Sequence, residues 1–201
     1  MAALGQWRDL TPDAQLEGRI TDILSVLFEP TDVLVTRVGP AIAAQLSDPA
    51  FTQRPRSYHD LIDLAASQIE KLHSRDRSQF ICGHPRIGEV SNLSALSAAE
   101  QASKKTSPQV LKQLETLNVI YERSFPRLRY VTFVNGRSRA EIVPEMKELL
   151  GTTYTGDLDD ITHEPIAVWN EGSKEWSTEL DRSVHATILI AKARLAALGV
   201  A

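Results

Sequence analysis

The sequence is poor in cysteine: Cys82 is the only one in 201 residues. A single thiol excludes an intrachain disulfide and any zinc site built on several thiolates. Long apolar runs are missing too. The stretch Ala186–Ala191 is already broken by Thr187 and falls far short of the ~18 residues that a membrane-spanning helix needs. There is no excess of positive charge, since 22 Lys and Arg stand against 26 Asp and Glu for a net charge of −4. A nucleic-acid or membrane-surface protein would carry a basic domain, so neither partner is expected, although a local anion site stays open. Aromatic residues make up 6%, and ten glycines and ten prolines are near average, which excludes collagen-like and low-complexity chains. No segment repeats at the 20–50-residue periods of solenoids. Met1–Leu10 holds no basic stretch ahead of an apolar one, so no secretory signal is expected. The last residues, Leu198-Gly199-Val200-Ala201, are not a peroxisomal tripeptide of the S-K-L type. The expected compartment is the cytoplasm or the peroxisome.

What is present is a globular composition, 42% hydrophobic and 24% charged, in a chain of about one domain's length. The pattern is helical nearly throughout. Thr11-Pro12 reads as a cap with proline at the first helical position, followed by Leu16, Ile20, Ile23 and Leu27, with Pro30 as the stop. A second helical stretch, Asp32–Leu46, is expected to break at Gly39-Pro40. Ser57 caps a third, with Leu61, Ala65, Ile69 and Leu72 on one face through His73. Phe80 and Ile81 suggest a short helix ending at or before His84, because the residue ahead of Pro85 avoids the α region. Ser107-Pro108 opens a helix that Pro126 closes, with Leu111, Leu114, Leu117, Tyr121 and Phe125 as its stripe. Residues 129–134 are β-prone, Asn135-Gly136 turns the chain, and Ser138 with Glu141 forms a capping box for a helix ending at Gly151. Thr152–Lys174 loses periodicity and reads as a loop insertion before a last helix at about Thr178–Leu198. One extended segment cannot build a sheet. The expectation is a single all-α domain over residues 1–201, a compact bundle of six to eight helices with one short extended segment near 129–134.

Three places carry candidate chemistry. In Cys82-Gly83-His84-Pro85 a rigid backbone places an imidazole, which suits a general acid or base working near neutrality; the plain alternative is a turn histidine. Cys82 itself reads as a buried, inert thiol, and a Cys82 hydrolase would be inactivated by alkylation. Ser97-Ala98-Ala99-Glu100-Gln101 offers a hydroxyl, a carboxylate and an amide over small residues, or else simply caps a helix. Arg123, Arg127, Arg129, Arg137 and Arg139 could bind carboxylates or form a solvated face. Arg194 lies at the edge of the stripe of the last helix, so its guanidinium reaches inward and needs an anion from the protein or from a ligand. No metal-ligand spacing and no phosphate-binding glycine motif appears, so neither metal nor cofactor is indicated.

In order along the chain stand His84-Pro85 with Ile87-Gly88, Ser97-x-x-Glu100-Gln101, Leu117-Asn118-x-x-Tyr121-x-x-x-Phe125, Tyr130–Val134 with Gly136-Arg137-Ser138 and Glu141-Ile142, and Arg194-Leu195. This series resembles the OHCU decarboxylases, which convert 2-oxo-4-hydroxy-4-carboxy-5-ureidoimidazoline (OHCU) to (S)-allantoin in urate breakdown. The likeness covers about Leu10–Leu150 and the last helix. It implies an all-α, cofactor-free homodimer acting on a small molecule. His84 would be the catalytic histidine, with Glu100 as its acidic companion. Substrate contacts would come from Pro85, Ser97, Gln101, the backbone of Tyr130, Val131, Thr132, Phe133 and Val134, and Arg194. The alternatives are a catalytically silent helical interaction module, or a relative acting on another ureido or imidazoline carboxylate.

Overall fold

The computed structural model describes residues 4, 7, 10–91, 93–102, 106–153 and 166–200, with backbone alone for 99–102. Among the described residues there are eight α-helices and no strand, so the fold is all-α as the periodicity predicts. No helix among them is long and apolar enough to cross a membrane. The chain divides into two compact units, Met1–Gly83 with Val184–Ala201, and His84–Ser183.

In the first unit, α1 (Leu16–Phe28) buries Leu16, Ile20, Leu24 and Leu27 on one face. It starts later than Thr11-Pro12 suggests. The Asp13 carboxylate accepts the Gln15 N–H at 2.8 Å and pairs with Arg19 at 2.8 Å, which holds the chain in a turn before the helix begins. The expected break at Gly39-Pro40 does not occur. A π turn, Leu34–Val38, runs straight into α2 (Gly39–Ser47), and the Gly39 N–H bonds the Leu34 carbonyl five residues back. The wider turn makes room for the ring of Pro40, which has no N–H to give and would clash in a regular turn. Ser57 caps α3 (Tyr58–Glu70) by accepting the Asp60 N–H at 3.1 Å, and Leu61, Ile62, Ala65 and Ile69 are buried along it. Helix α4 (Ser74–Ile81) sets Phe80 against Phe28, with ring centroids 5.8 Å apart. Helix α1 packs on α2, and α2 on α3.

The second unit holds α5 (Ala95–Ala102), α6 (Pro108–Ser124) and α7 (Arg139–Leu150), with α6 packed on α7. Ser107 caps α6 through the Val110 N–H, and the Ser138–Glu141 capping box opens α7. Helix α8 (Lys174–Leu198) contributes its residues through Ser183 to this unit and those from Val184 to the first. It begins before Thr178 because Ser173 Oγ accepts the Trp176 N–H at 3.2 Å. The fully buried Trp176 in turn donates its indole N–H to the Pro126 carbonyl at 2.9 Å. Residues 154–165, the middle of the expected insertion, lie outside the described residues. Its end is anchored: Trp169 donates its N–H to the Ser124 carbonyl at 2.8 Å and stacks on Phe125.

Candidate active site

His84 stands where the sequence places it, just past the end of α4, and it is 4% exposed. Two glycines shape its loop. A Cβ on Gly83 would lie 2.2 Å from Thr31 Cγ2, and Gly88 takes φ 88° while lying against Leu114. The loop is then pinned through its main chain. Arg129 Nη1 donates to the His84 carbonyl at 2.7 Å, and Asn118 Nδ2 donates to the Ile87 carbonyl at 2.9 Å. Between them Arg86 forms a two-pronged pair with Glu122 at 2.8 and 2.5 Å. None of these bonds uses the imidazole.

Arg129 leads directly into Tyr130–Val134, so its bond to His84 brings the histidine loop to the start of that segment. The segment is neither helix nor strand. Arginines take three of its carbonyls. Arg182 Nη1 donates to Val131 at 3.0 Å and its guanidinium lies 5.1 Å from the Tyr130 ring centroid, while Arg137 donates to Phe133 at 2.7 Å and Val134 at 3.0 Å. The N–H groups differ. None of the five from Tyr130 to Val134 finds an acceptor among the described residues, although Tyr130 and Val131 are buried and the other three half-buried. Backbone donors in a buried or half-buried segment call for an acceptor. What the segment offers is chiefly donors, whereas the sequence suggested donors and acceptors alike.

Two carboxylates hold this segment, and the sequence reading missed both. Glu145 accepts Tyr130 Oη at 2.5 Å and Thr132 Oγ1 at 3.0 Å and is paired with Arg137. Burial alone would raise its pKa, but the bonds from Tyr130, Thr132 and Arg137 outweigh that and hold it below 4.5. Glu179, 3% exposed, accepts Tyr121 Oη at 2.7 Å and Arg182 at 2.7 and 2.6 Å. Burial, reinforced by the Glu179 charge, pushes the Tyr121 hydroxyl well above its ordinary range, so it stays a donor. For Arg182 burial acts to lower the pKa and Glu179 overrides it. The spacing Glu179-x-x-Arg182 on one helix was the signal available in the sequence.

The depressed Glu145 pKa sets a pH dependence. A carboxylate whose pKa is lower in the folded than in the unfolded chain stabilises fully above the unfolded value and loses that contribution as pH falls through the folded one. Thermal melts below pH 4.5 should therefore fall more steeply for the native chain than for Glu145→Gln. Parallel curves would show that Glu145 does not contribute.

Arg194 is 2% exposed, as its angle on α8 suggests, and its anion is a protein carboxylate. Nη2 lies 2.7 Å from Glu29 Oε1, and Nη1 donates to the Leu27 carbonyl at 3.2 Å. Glu29 has φ 75°, a conformation costing a non-glycine residue of order 1–3 kcal/mol. Ser97 is buried inside α5, and its N–H is capped by Ser94 Oγ at 3.1 Å, so the cap is Ser94 and not Ser97. The backbone of Glu100 and Gln101 is helical, and their side chains lie outside the described residues. Pro85 is half-buried beside His84, and Cys82, expected to be a buried thiol, is half-buried at the end of α4. In the arginine stretch, Arg127 pairs with Glu171 at 3.8 Å and Arg139 donates to Thr106 at 3.1 Å. Among the described residues no three His, Cys, Asp or Glu side chains gather as metal ligands would.

No curated protein and no solved structure matches the chain. A family model does: OHCU decarboxylase, over residues 14–196. That span takes in the His84 loop, the donor segment at 130–134 and Arg194, and the chain accordingly belongs to the OHCU decarboxylase family, a decarboxylase (lyase) of purine degradation.

Proposed function

We propose that the chain removes carbon dioxide from OHCU to give (S)-allantoin, with His84 as general acid and base. The observation that carries this reading is the row of N–H donors at Tyr130–Val134, joined by Arg129 to the His84 loop. A ureidoimidazoline with ring and ureido carbonyls supplies the acceptors that such a row lacks.

The substrate chemistry explains why one imidazole suffices. Breaking the bond to the carboxylate releases carbon dioxide and leaves an electron pair, which flows into the ring imine as its nitrogen takes a proton. The product is an enol. The enol hydroxyl then loses its proton while the ureido-bearing carbon gains one on a single face, giving allantoin. The electron sink belongs to the substrate, so the reaction asks for no cofactor. His84 delivers the proton to one face. Glu100 accepts the substrate hydroxyl proton or holds the tautomer of His84, and Pro85, Ser97 and Gln101 shape the surroundings. Arg194 binds a part of the substrate that stays, because gripping the departing carboxylate would oppose its loss. The working form is a homodimer.

The direct test follows absorbance decay of freshly oxidised urate with and without the protein. Faster decay supports the reading; decay at the background rate favours the silent interaction module. Arg194→Lys should raise KM about tenfold, because an ammonium cannot reproduce a planar two-pronged donor. Unchanged kinetics would make Arg194 purely structural.

A further inference from the structure

Two unfavourable features meet at Glu29. Its backbone has φ 75° and ψ 133°. Pro30 explains the ψ, since the residue before proline is driven to extended values, but nothing in that preference asks for a positive φ. Glycine would adopt the same angles without strain. The side chain is also only 7% exposed, where a carboxylate is tolerated only when paired and hydrogen-bonded. Its partner, Arg194, is 2% exposed and is bound both by Glu29 at 2.7 Å and by the Leu27 carbonyl at 3.2 Å. Two apolar side chains would fill this place without desolvating any charge. A strained backbone and a buried ion pair together, converging on the arginine assigned to the substrate, mark a functional arrangement.

We propose that Glu29 is a positioning residue for Arg194, and that it sets which chemical group the arginine accepts. The carboxylate takes one edge of the guanidinium and fixes its plane. It also offsets the charge of the guanidinium. An arginine already facing a carboxylate favours a neutral planar acceptor, a ring or ureido carbonyl, over a second carboxylate, which would face Glu29 as a like charge. The substrate is then held by the part that survives decarboxylation. This inference rests on the reading that Arg194 binds substrate.

The test is calorimetric titration of the full chain and its Glu29→Gln variant with two probes, neutral hydantoin and the ring-opened carboxylate hydantoate. Glutamine keeps an oxygen within reach of Arg194 but removes the charge. The native chain should prefer hydantoin, and the variant should shift the affinity ratio toward hydantoate by about tenfold or more, the difference between a charge-assisted and a neutral hydrogen bond. A ratio is independent of how much of the variant is folded. An unchanged ratio accompanied by a lower melting temperature would overturn the proposal and leave Glu29 as a structural partner. Native chain that binds neither probe would overturn it as well. The titration needs no turnover, so a native chain that shows the predicted ratio shift but does not consume OHCU would refute the decarboxylation alone.

Discussion

Replacing His84 by alanine is expected to slow OHCU turnover by about a hundred- to ten-thousandfold, the usual contribution of a placed general acid or base. The product should then be racemic, because protonation of the enol reverts to solvent, which has no preferred face. The helical circular dichroism should persist. Three contacts of the loop, the carbonyl of His84 on Arg129, the carbonyl of Ile87 on Asn118 and the Arg86–Glu122 pair, survive the change to alanine. A variant with native helicity and native turnover would remove His84 from the mechanism. A variant that unfolds would show instead that the imidazole, 4% exposed, is a packing element.

Replacing Glu179 by leucine should produce the largest loss of stability, about 3 kcal/mol, because the carboxylate serves two partners at once. Tyr121 would keep a buried hydroxyl without its acceptor, and Arg182 a guanidinium without its counter-charge. In a chain of this length that corresponds to a fall in melting temperature of roughly 6–12 °C. Arg182 also binds the Val131 carbonyl and lies over the Tyr130 ring, so the damage should reach the donor segment. An unfolding free energy from denaturant titration that changes by less than about 0.5 kcal/mol would mean that solvent replaces Glu179 at little expense.

What the sequence revealed was mostly local. Ser57, Ser107 and the Ser138–Glu141 box mark helix starts because a cap and its target lie three residues apart. The burial of Arg194 followed from its angle on one helix. The misjudged boundaries have local causes of another kind. At Thr11-Pro12 the Asp13 carboxylate competes for the backbone, and at Gly39-Pro40 a π turn absorbs a proline that should have ended the helix. The partner of Arg194 could not be read at all: Glu29 lies 165 residues away, and no periodicity connects them. Glu145 escaped for a similar reason, since nothing in the spacing ties α7 to Tyr130, 15 residues earlier. Glu179 and Arg182 were legible as a helical pair, but not their inward direction toward Tyr121 and Val131. The likeness to a family supplied the candidate residues; the physical reasons for their placement came from tertiary contacts.

The handedness of the product decides whether this chain performs the proposed chemistry. Circular dichroism of allantoin accumulating from freshly prepared OHCU should develop the signal of the (S) enantiomer, at a rate proportional to protein concentration. A silent dichroism signal while the substrate decays at its spontaneous rate would contradict it.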